Sequence, residues 1–185
     1  RDGRVEKVTQ PEKDMLVLLV RAQGKNHRLL LSAAPAYPRV HLTQLTYQNP
    51  PDAPRFCMLM RKHLQGARLT GIAQLGSDRV LRFTFENRDE LGDAAPRELY
   101  AELMGRHSNL TLVMSGRIVD AIRHVSGDMS RVRQALPGLP FVPPPAQDKM
   151  DPAEANAPEL AARLSKAGGT LDKALAASVR GLSPV

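Results

Sequence analysis

Residues 14–22 read DMLVLLVRA, a short unbroken apolar run, Val-rich and bounded by charge. A run of that length and composition reads as a buried β-strand, and it constrains the fold more than any other stretch. The loop Gln23-Gly24-Lys25-Asn26 leads into HRLLLS at 27–32, so the two segments form a hairpin. Arg39 to Leu42 can add a short strand. Further on, RVLRFTFEN (79–87) alternates, with Leu81, Phe83 and Phe85 on one face and Arg82, Thr84 and Glu86 on the other. The loop NRDELGD follows. ELYAELM (98–104), NLTLVM (109–114) and RIVDAIRHV (117–125) continue as short strands, with Ser115-Gly116 a tight turn between the last two. Many short strands with few helices predict an α+β domain built on antiparallel sheets.

One helix interrupts the strands. Asn49-Pro50-Pro51-Asp52 stops the sheet, Asp52 is placed to cap, Pro54 fits a first turn, and Gly66 ends the helix at about 53–65. Phe56, Leu59, Met60, His63 and Leu64 fall on one side at helical spacing, and Arg55, Met58, Arg61, Lys62 and Gln65 on the other. No acid occurs between Asp52 and Asp78. Two readings stand open: a packed helix with a solvated basic face, or a helix presenting Arg61 and Lys62 to phosphate. His63, among apolar residues, reads as a core or edge histidine.

The 185 residues amount to one ordinary domain with a small appendage. The chain opens on Arg1 within a strand-like stretch, the pattern expected of a fragment. Net charge is +7, and residues 151–185 contribute nothing to it, with four basic and four acidic side chains. The excess lies in residues 1–150, with 22 basic and 15 acidic side chains, which suggests a polyanionic partner. Cys57 is the one cysteine, so there is no disulfide framework or thiolate zinc site, and a reducing cytoplasmic setting is expected. No apolar run reaches the roughly 20 residues that a membrane helix needs, so no membrane role is expected. From Pro137 to Pro158 proline excludes helix or central strand, and a domain boundary is placed near residue 150. Beyond it, PELAARLSKAGG and TLDKALAASVRG read as two helices. Thr170 caps the second, whose apolar stripe is Leu171, Ala174, Leu175 and Val179. Gly181 closes it, and Ser183-Pro184 looks like the start of another.

No enzyme signature is present. The five histidines, His27, His41, His63, His107 and His124, are scattered, with no HxxH pair, no phosphate loop and no dinucleotide fingerprint. Cys57 and His63 are six apart on a helix, a poor spacing for a nucleophile and its base. Ser108-Asn109, within ELMGRHSN (102–109), reads as turn chemistry. No catalytic residue, metal or cofactor is expected. What remains is basic. GSDR (76–79) is either a turn with a surface ion pair or an arginine fork for phosphate or a base edge. RHVSGDMSRVRQALPG supplies Arg123, His124, Arg131 and Arg133, as a phosphate-facing stretch or a solvated loop. Arg61, Lys62, Arg123 and Arg131 are the candidate phosphate contacts.

The blocks RVEKVTQP, LLLSA, PRVHLT, FCMLMRKHLQGARL, GSDRVLRFTF, ELMGRHSNLTLV, DAIRHV and ALPGLPFVPPPAQDK occur in that order. Together they resemble the N-terminal domain of the NFACT family, which includes fibronectin-binding protein A-like proteins and nuclear export mediator factor. The resemblance covers residues 1–150, lacking the family's first helix, and 151–185 resemble a linker and incomplete helix-hairpin-helix domain. It implies a fold similar to the N-terminal domain of formamidopyrimidine DNA glycosylases. It also implies a tRNA-binding module of a ribosome-associated quality-control factor. Such factors bind the large ribosomal subunit carrying peptidyl-tRNA and recruit aminoacyl-tRNA, alanyl-tRNA in bacteria, for mRNA-independent tailing of the nascent chain. The family's Asp-Arg tRNA-binding pair falls on Asp78 and Arg79, and its Glu-Leu/Ile-Met corner on Glu102, Leu103 and Met104. Arg106 and His107 join that corner by charge and position. The competing readings are a surface adhesin for fibronectin and, behind it, a DNA-glycosylase-like enzyme.

Overall fold

The computed structural model describes residues 2–76, 78–88, 94–145 and 148–182. The expected helix start at Ser183-Pro184, Ser77 of the GSDR turn and residues 89–93 of the NRDELGD loop lie outside them. The chain divides into two compact units: Arg1–Ala73 with Val80–Val142, and Gln74–Arg79 with Pro143–Val185.

The first unit is an antiparallel sheet around one helix. Its strands are β1 (Gly3–Glu12), β2 (Met15–Ala22), β3 (Lys25–Ser32), β4 (Arg39–Thr43), β5 (Arg68–Gln74), β6 (Val80–Arg88), β7 (Ala94–Glu102), β8 (Asn109–Met114) and β9 (Arg117–Ala121). Their order is β4-β3-β2-β1-β5-β6-β7-β8-β9. Every consecutive pair of strands is adjacent except β4 and β5. That one crossover carries helix α1 (Arg55–Leu64) and so lays it on the core face.

Alternation decides which side chains meet it. Leu16, Leu18 and Val20 of β2, Leu29 and Leu31 of β3, Phe83 and Phe85 of β6, and Leu110 and Leu112 of β8 share one core with Phe56, Cys57, Met60 and Leu64 of α1. In β1 both Val5 and Val8 are in that core although three positions separate them, against the period of two. A register shift between Val5 and Lys7 accounts for it, because an added residue in one strand moves the inward alternation by one. β1 and β5 are the elements that strand patterning leaves unassigned or half-assigned. Polar residues break their alternation, and they form because neighbouring strands supply the ladder.

Several boundaries differ from expectation. α1 starts at Arg55 with Pro54 as its N-cap, and no side chain caps it. Asp52 lies two residues before that position, outside the reach of the first-turn amides that a capping oxygen serves. β7 ends at Glu102 instead of running to Met104, and β9 ends at Ala121 instead of Val125. The segment after β9 turns back and lines its outer edge. Gly138 donates to the Ile118 carbonyl, Ile118 to Leu139 and Phe141 to Gly116. The proline-bearing stretch therefore protects an edge strand.

In the second unit, α2 (Ala157–Ala167) is capped by Asn156, whose side chain accepts from the Glu159 amide, and α3 (Leu171–Ser178) follows. Thr170 is the N-cap of α3, but its side chain bonds no first-turn amide. It bonds the Asp172 carboxyl and holds that group below its ordinary value. Of the expected stripe, Ala174 and Val179 are buried and Leu171 is exposed. Met150 bridges to Val179, bonding Ser178 and Arg180 through the backbone.

Two outcomes follow from this packing. Leu18→Ala, at a fully buried core position, is expected to cost about 2–5 kcal/mol, against about 0.5 kcal/mol for Leu42→Ala on the exposed edge strand, by urea denaturation. His63 is half-buried, and desolvation first, then the positive charges of Arg97 and Lys62, lower its imidazole below 6.5. A base lowered in the folded state stays neutral there while the unfolded chain takes up the proton, so its contribution is present above 6.5 and lost as pH falls. The drop in urea midpoint between pH 7.5 and 5.5 is therefore expected to be smaller in His63→Gln than in the parent. Equal drops would exclude His63 as the cause.

Candidate nucleic-acid interface

The end of β7 builds the first candidate surface. After Glu102 the chain passes through Leu103 and Met104 into a 3-10 turn, Gly105–His107, before β8 begins at Asn109. Gly105 enters that turn at φ +54°, the left-handed region where a side chain is strained. The Ser108 hydroxyl accepts from the Met104 amide at 2.9 Å, and the His107 amide donates to the Met104 carbonyl at 3.0 Å. Asn109 is buried, and its side chain both donates to the Arg123 carbonyl at 2.9 Å and accepts from the Arg123 amide at 3.0 Å. Ser108 and Asn109 are thus turn chemistry. They hold the corner to the chain beyond β9.

Glu102 does not face outward. Its side chain is buried and gripped in a fork by Arg133: Nη1 donates to Oε2 at 2.8 Å and Nη2 to Oε1. The Arg133 Nε donates to the Val142 carbonyl, and its guanidinium lies 5.5 Å from the centre of the Phe141 ring, which stacks on Tyr100 at 4.2 Å. Glu102 is therefore a positioning residue that clamps the 123–142 segment against the corner. The family resemblance places Glu102 at a tRNA-binding corner; a charged side chain is rarely buried unless paired, and here it is paired.

The same inward turn gives most of the basic stretch partners within the chain. Arg123 Nε donates to Asp14 Oδ1 at 3.0 Å and Nη1 to the Arg106 carbonyl at 3.3 Å, so this candidate phosphate contact is a scaffold cation. His124 meets Asp120 at 2.6 Å, and Arg133 is taken by Glu102. Of the four basic residues, Arg131 alone is exposed with no hydrogen bond or ion pair to the described residues. At the corner itself Arg106 and His107 are exposed, with Arg106 Nε donating to His107 Nε2 at 3.1 Å, and Leu103 and Met104 are half-buried beside them. The corner brings together a cation, an imidazole and a partly exposed apolar edge.

α1 has Lys62 exposed, with no ion pair or side-chain hydrogen bond to the described residues. Arg61 is exposed too, but its Nε donates to the Val8 carbonyl at 2.9 Å, which fixes the guanidinium against β1. The neighbouring Cys57 is fully buried, and burial pushes its thiol up, away from the thiolate a nucleophile needs. Among the described residues no three of His, Cys, Asp and Glu gather as a metal site would require. No helix among them is long and apolar enough to cross a membrane.

Asp78 and Arg79 belong to the other compact unit. Gly76, at φ +56°, makes the turn that precedes them. The Asp78 amide donates to the Leu75 carbonyl at 3.2 Å, and Gln74 Nε2 donates to the Asp78 carbonyl at 2.9 Å. The Asp78 carboxylate lies 3.8 Å from Arg180 Nε, too long for a hydrogen bond but close enough for charge. Arg180, missed in the sequence, is thus the cation beside Asp78. Arg79 is exposed, and no hydrogen bond or ion pair ties it to the described residues.

Comparison with known proteins agrees along the whole chain. The family model described as NFACT N-terminal and middle domains matches residues 1–185. The chain is 44% identical over 185 residues to the Rqc2 homolog RqcH of Bacillus subtilis (strain 168), covering 99% of this chain and 32% of that protein. It is similar to the N-terminal part of the fibronectin/fibrinogen-binding protein from Streptococcus suis, with a TM-score of 0.87 and 38% identity over 100% of this chain and 69% of that one. It is also similar to the N-terminal domain of the fibronectin-binding protein PavA from Streptococcus pneumoniae, with a TM-score of 0.87 and 37% identity over 99% and 69%. The chain spans about a third of the length of the Bacillus protein.

The Glu102–Arg133 pair sets up a test of the corner. Arg133→Ala leaves a buried carboxylate without its partner and is expected to cost about 3–5 kcal/mol in urea denaturation. Glu102→Met with Arg133→Met, which removes both charges and keeps volume, is expected to recover most of that loss. If the double variant is as unstable as Arg133→Ala, the pair is not what holds the segment.

Proposed function

The chain belongs to the NFACT family, and on that premise we propose that it is the tRNA-contacting part of a ribosome-associated quality-control factor. The observation that carries this reading is the identity to the Bacillus Rqc2 homolog across the full chain. The charge distribution supports it. Arg79, Arg106, Lys62 and Arg131 stand exposed with no carboxylate partner among the described residues. Cations left free in this way suit phosphates, whose counterions they release.

In this reading Arg79 offers a planar fork to phosphate or base, and Arg106 and His107 meet the tRNA backbone. Leu103 and Met104 give an apolar edge to ribose or base. Glu102 acts through Arg133 and holds the corner in place. The whole protein binds the large ribosomal subunit with its peptidyl-tRNA in the cytoplasm and recruits aminoacyl-tRNA, alanyl-tRNA in bacteria, for tailing. It is not itself an enzyme, since peptidyl transfer belongs to ribosomal RNA. A fold related to formamidopyrimidine DNA glycosylases, and α2 and α3 as the opening of a helix-hairpin-helix domain, belong to the same reading. The names of the two structural relatives support a second one, fibronectin binding at a surface.

Arg79→Ala is a cleaner test than removing Asp78 as well, because Asp78 also faces Arg180. In the full-length protein purified from cells, Arg79→Ala is expected to leave stability within about 0.5 kcal/mol and to cut co-purifying tRNA about tenfold, with shorter tails. Unchanged tRNA recovery from a folded variant would overturn the role of Arg79. Saturable binding of the wild type to immobilised fibronectin, with no tRNA recovered, would favour the second reading.

A further inference from the structure

The face of β1–β3 turned away from the core carries a pocket that the corner, α1 and the Asp78-Arg79 turn leave unused. Lys7 of β1 pairs in register with Leu19 of β2, and Leu19 with Arg28 of β3. The three therefore form one cross-strand row on one face, with Lys7 and Arg28 two strand spacings apart, about 10 Å. The next row holds Thr9, Val17 and Leu30. Val17 and Leu30 pack with Met15 and Tyr47 in a small cluster separate from the main core. The segment 45–49 contributes to the wall of an open cavity of about 200 Å³, lined by Lys7, Thr9, Leu19, Arg28, Tyr47 and Asn49 among others.

The chemistry of the lining is one-sided. Two cations face the cavity, no carboxylate lines it, and neither Lys7 nor Arg28 forms an ion pair or hydrogen bond with the described residues. Elsewhere in this unit Arg123 and Arg133 are neutralised by half-buried Asp14 and buried Glu102. Between the two cations lie an aliphatic floor, an aromatic ring and the side-chain hydroxyl and amide of Thr9 and Asn49. An anion with a flat apolar body and a hydrogen-bonding edge matches all of these at once. The volume is below the roughly 300 Å³ at which drug-sized ligand pockets begin, so it suits one small unit and excludes a duplex.

We propose that this pocket holds one nucleotide of single-stranded RNA, with its phosphate between Lys7 and Arg28 and its base against Tyr47 and Leu19. The RNA-binding reading above supplies only the source of the nucleotide. Stacking on an aromatic ring tolerates any base, so the site is indifferent to sequence. Its natural occupant is an unpaired nucleotide at an RNA end or loop.

The experiment uses full-length protein freed of RNA by nuclease and titrated calorimetrically with adenosine 5′-monophosphate and, separately, with inorganic phosphate. The nucleotide is expected to bind at least tenfold more tightly than phosphate. Lys7→Gln with Arg28→Gln is expected to weaken the nucleotide about tenfold or more while the melting temperature holds. Tyr47→Leu is expected to weaken the nucleotide and leave phosphate unchanged. No nucleotide binding to the wild type, or equal binding by the wild type and the folded double variant, overturns the proposal. Equal affinity for phosphate and nucleotide, unmoved by Tyr47→Leu, overturns it in favour of a plain anion site. If wild-type protein recovers tRNA from cells but the pocket fails these titrations, the pocket falls and the proposed function stands. If the nucleotide binds as expected but no tRNA is recovered, the function falls and the pocket stands.

Discussion

One apolar sheet face has to be covered by one helix of ten residues. Phe56, Cys57, Met60 and Leu64 are the residues that α1 buries, and they share a single core with side chains from β1, β2, β3, β5, β6, β7 and β8. A nine-stranded sheet can meet so small a helix only if each strand turns its alternate residues toward it. This explains the bulge in β1, without which Val5 and Val8 would point to opposite faces. It also explains the single crossover. α1 reaches the core face because the chain leaves edge strand β4 and returns beside β1. With the core face committed to packing, the strand ends and the outer face remain as accessible surface.

Ion pairing decides which of the basic residues remain for a partner. Glu102 takes Arg133, Asp14 takes Arg123, and Asp120 meets His124. A buried pair contributes little net stability against apolar residues of the same size, but breaking it is costly. Its effect here is positional. The Glu102–Arg133 fork, with Phe141 stacked on Tyr100, fixes the 123–142 segment along β9 and beside the corner. The exposed cations that no acid among the described residues pairs then include Arg79, Arg106, Lys62 and Arg131.

The outer face of β1–β3 obeys a different rule. Lined by the segment 45–49, it is neither core nor plain surface. Val17, Leu30 and Tyr47 give it a small apolar cluster, and the row from Lys7 to Arg28 gives it charge without counter-charge. The row exists because the register of three strands aligns residues that are far apart in the chain, and no local pattern predicts that alignment.

Local pattern was sufficient where periodicity was strong. DMLVLLVRA and HRLLLS as paired strands, Phe83 and Phe85 facing inward, the Ser115-Gly116 turn and the helix after the prolines all follow from spacing, because side-chain direction is set by local backbone geometry. The order of short motifs was enough to identify the NFACT family. What the sequence left undecided is long-range. Whether Glu102 faces solvent or Arg133, thirty-one residues away, depends on how the chain returns past β9. Arg123 meets Asp14 at a separation of 109 residues, and Arg61 spends a donor on Val8. Asp78 lies near Arg180, not near a partner in its own turn. Charge in a sequence states what a residue can do. Only the tertiary structure decides which opposite charge comes within reach, because Coulomb attraction and desolvation act through space and carry no signature along the chain.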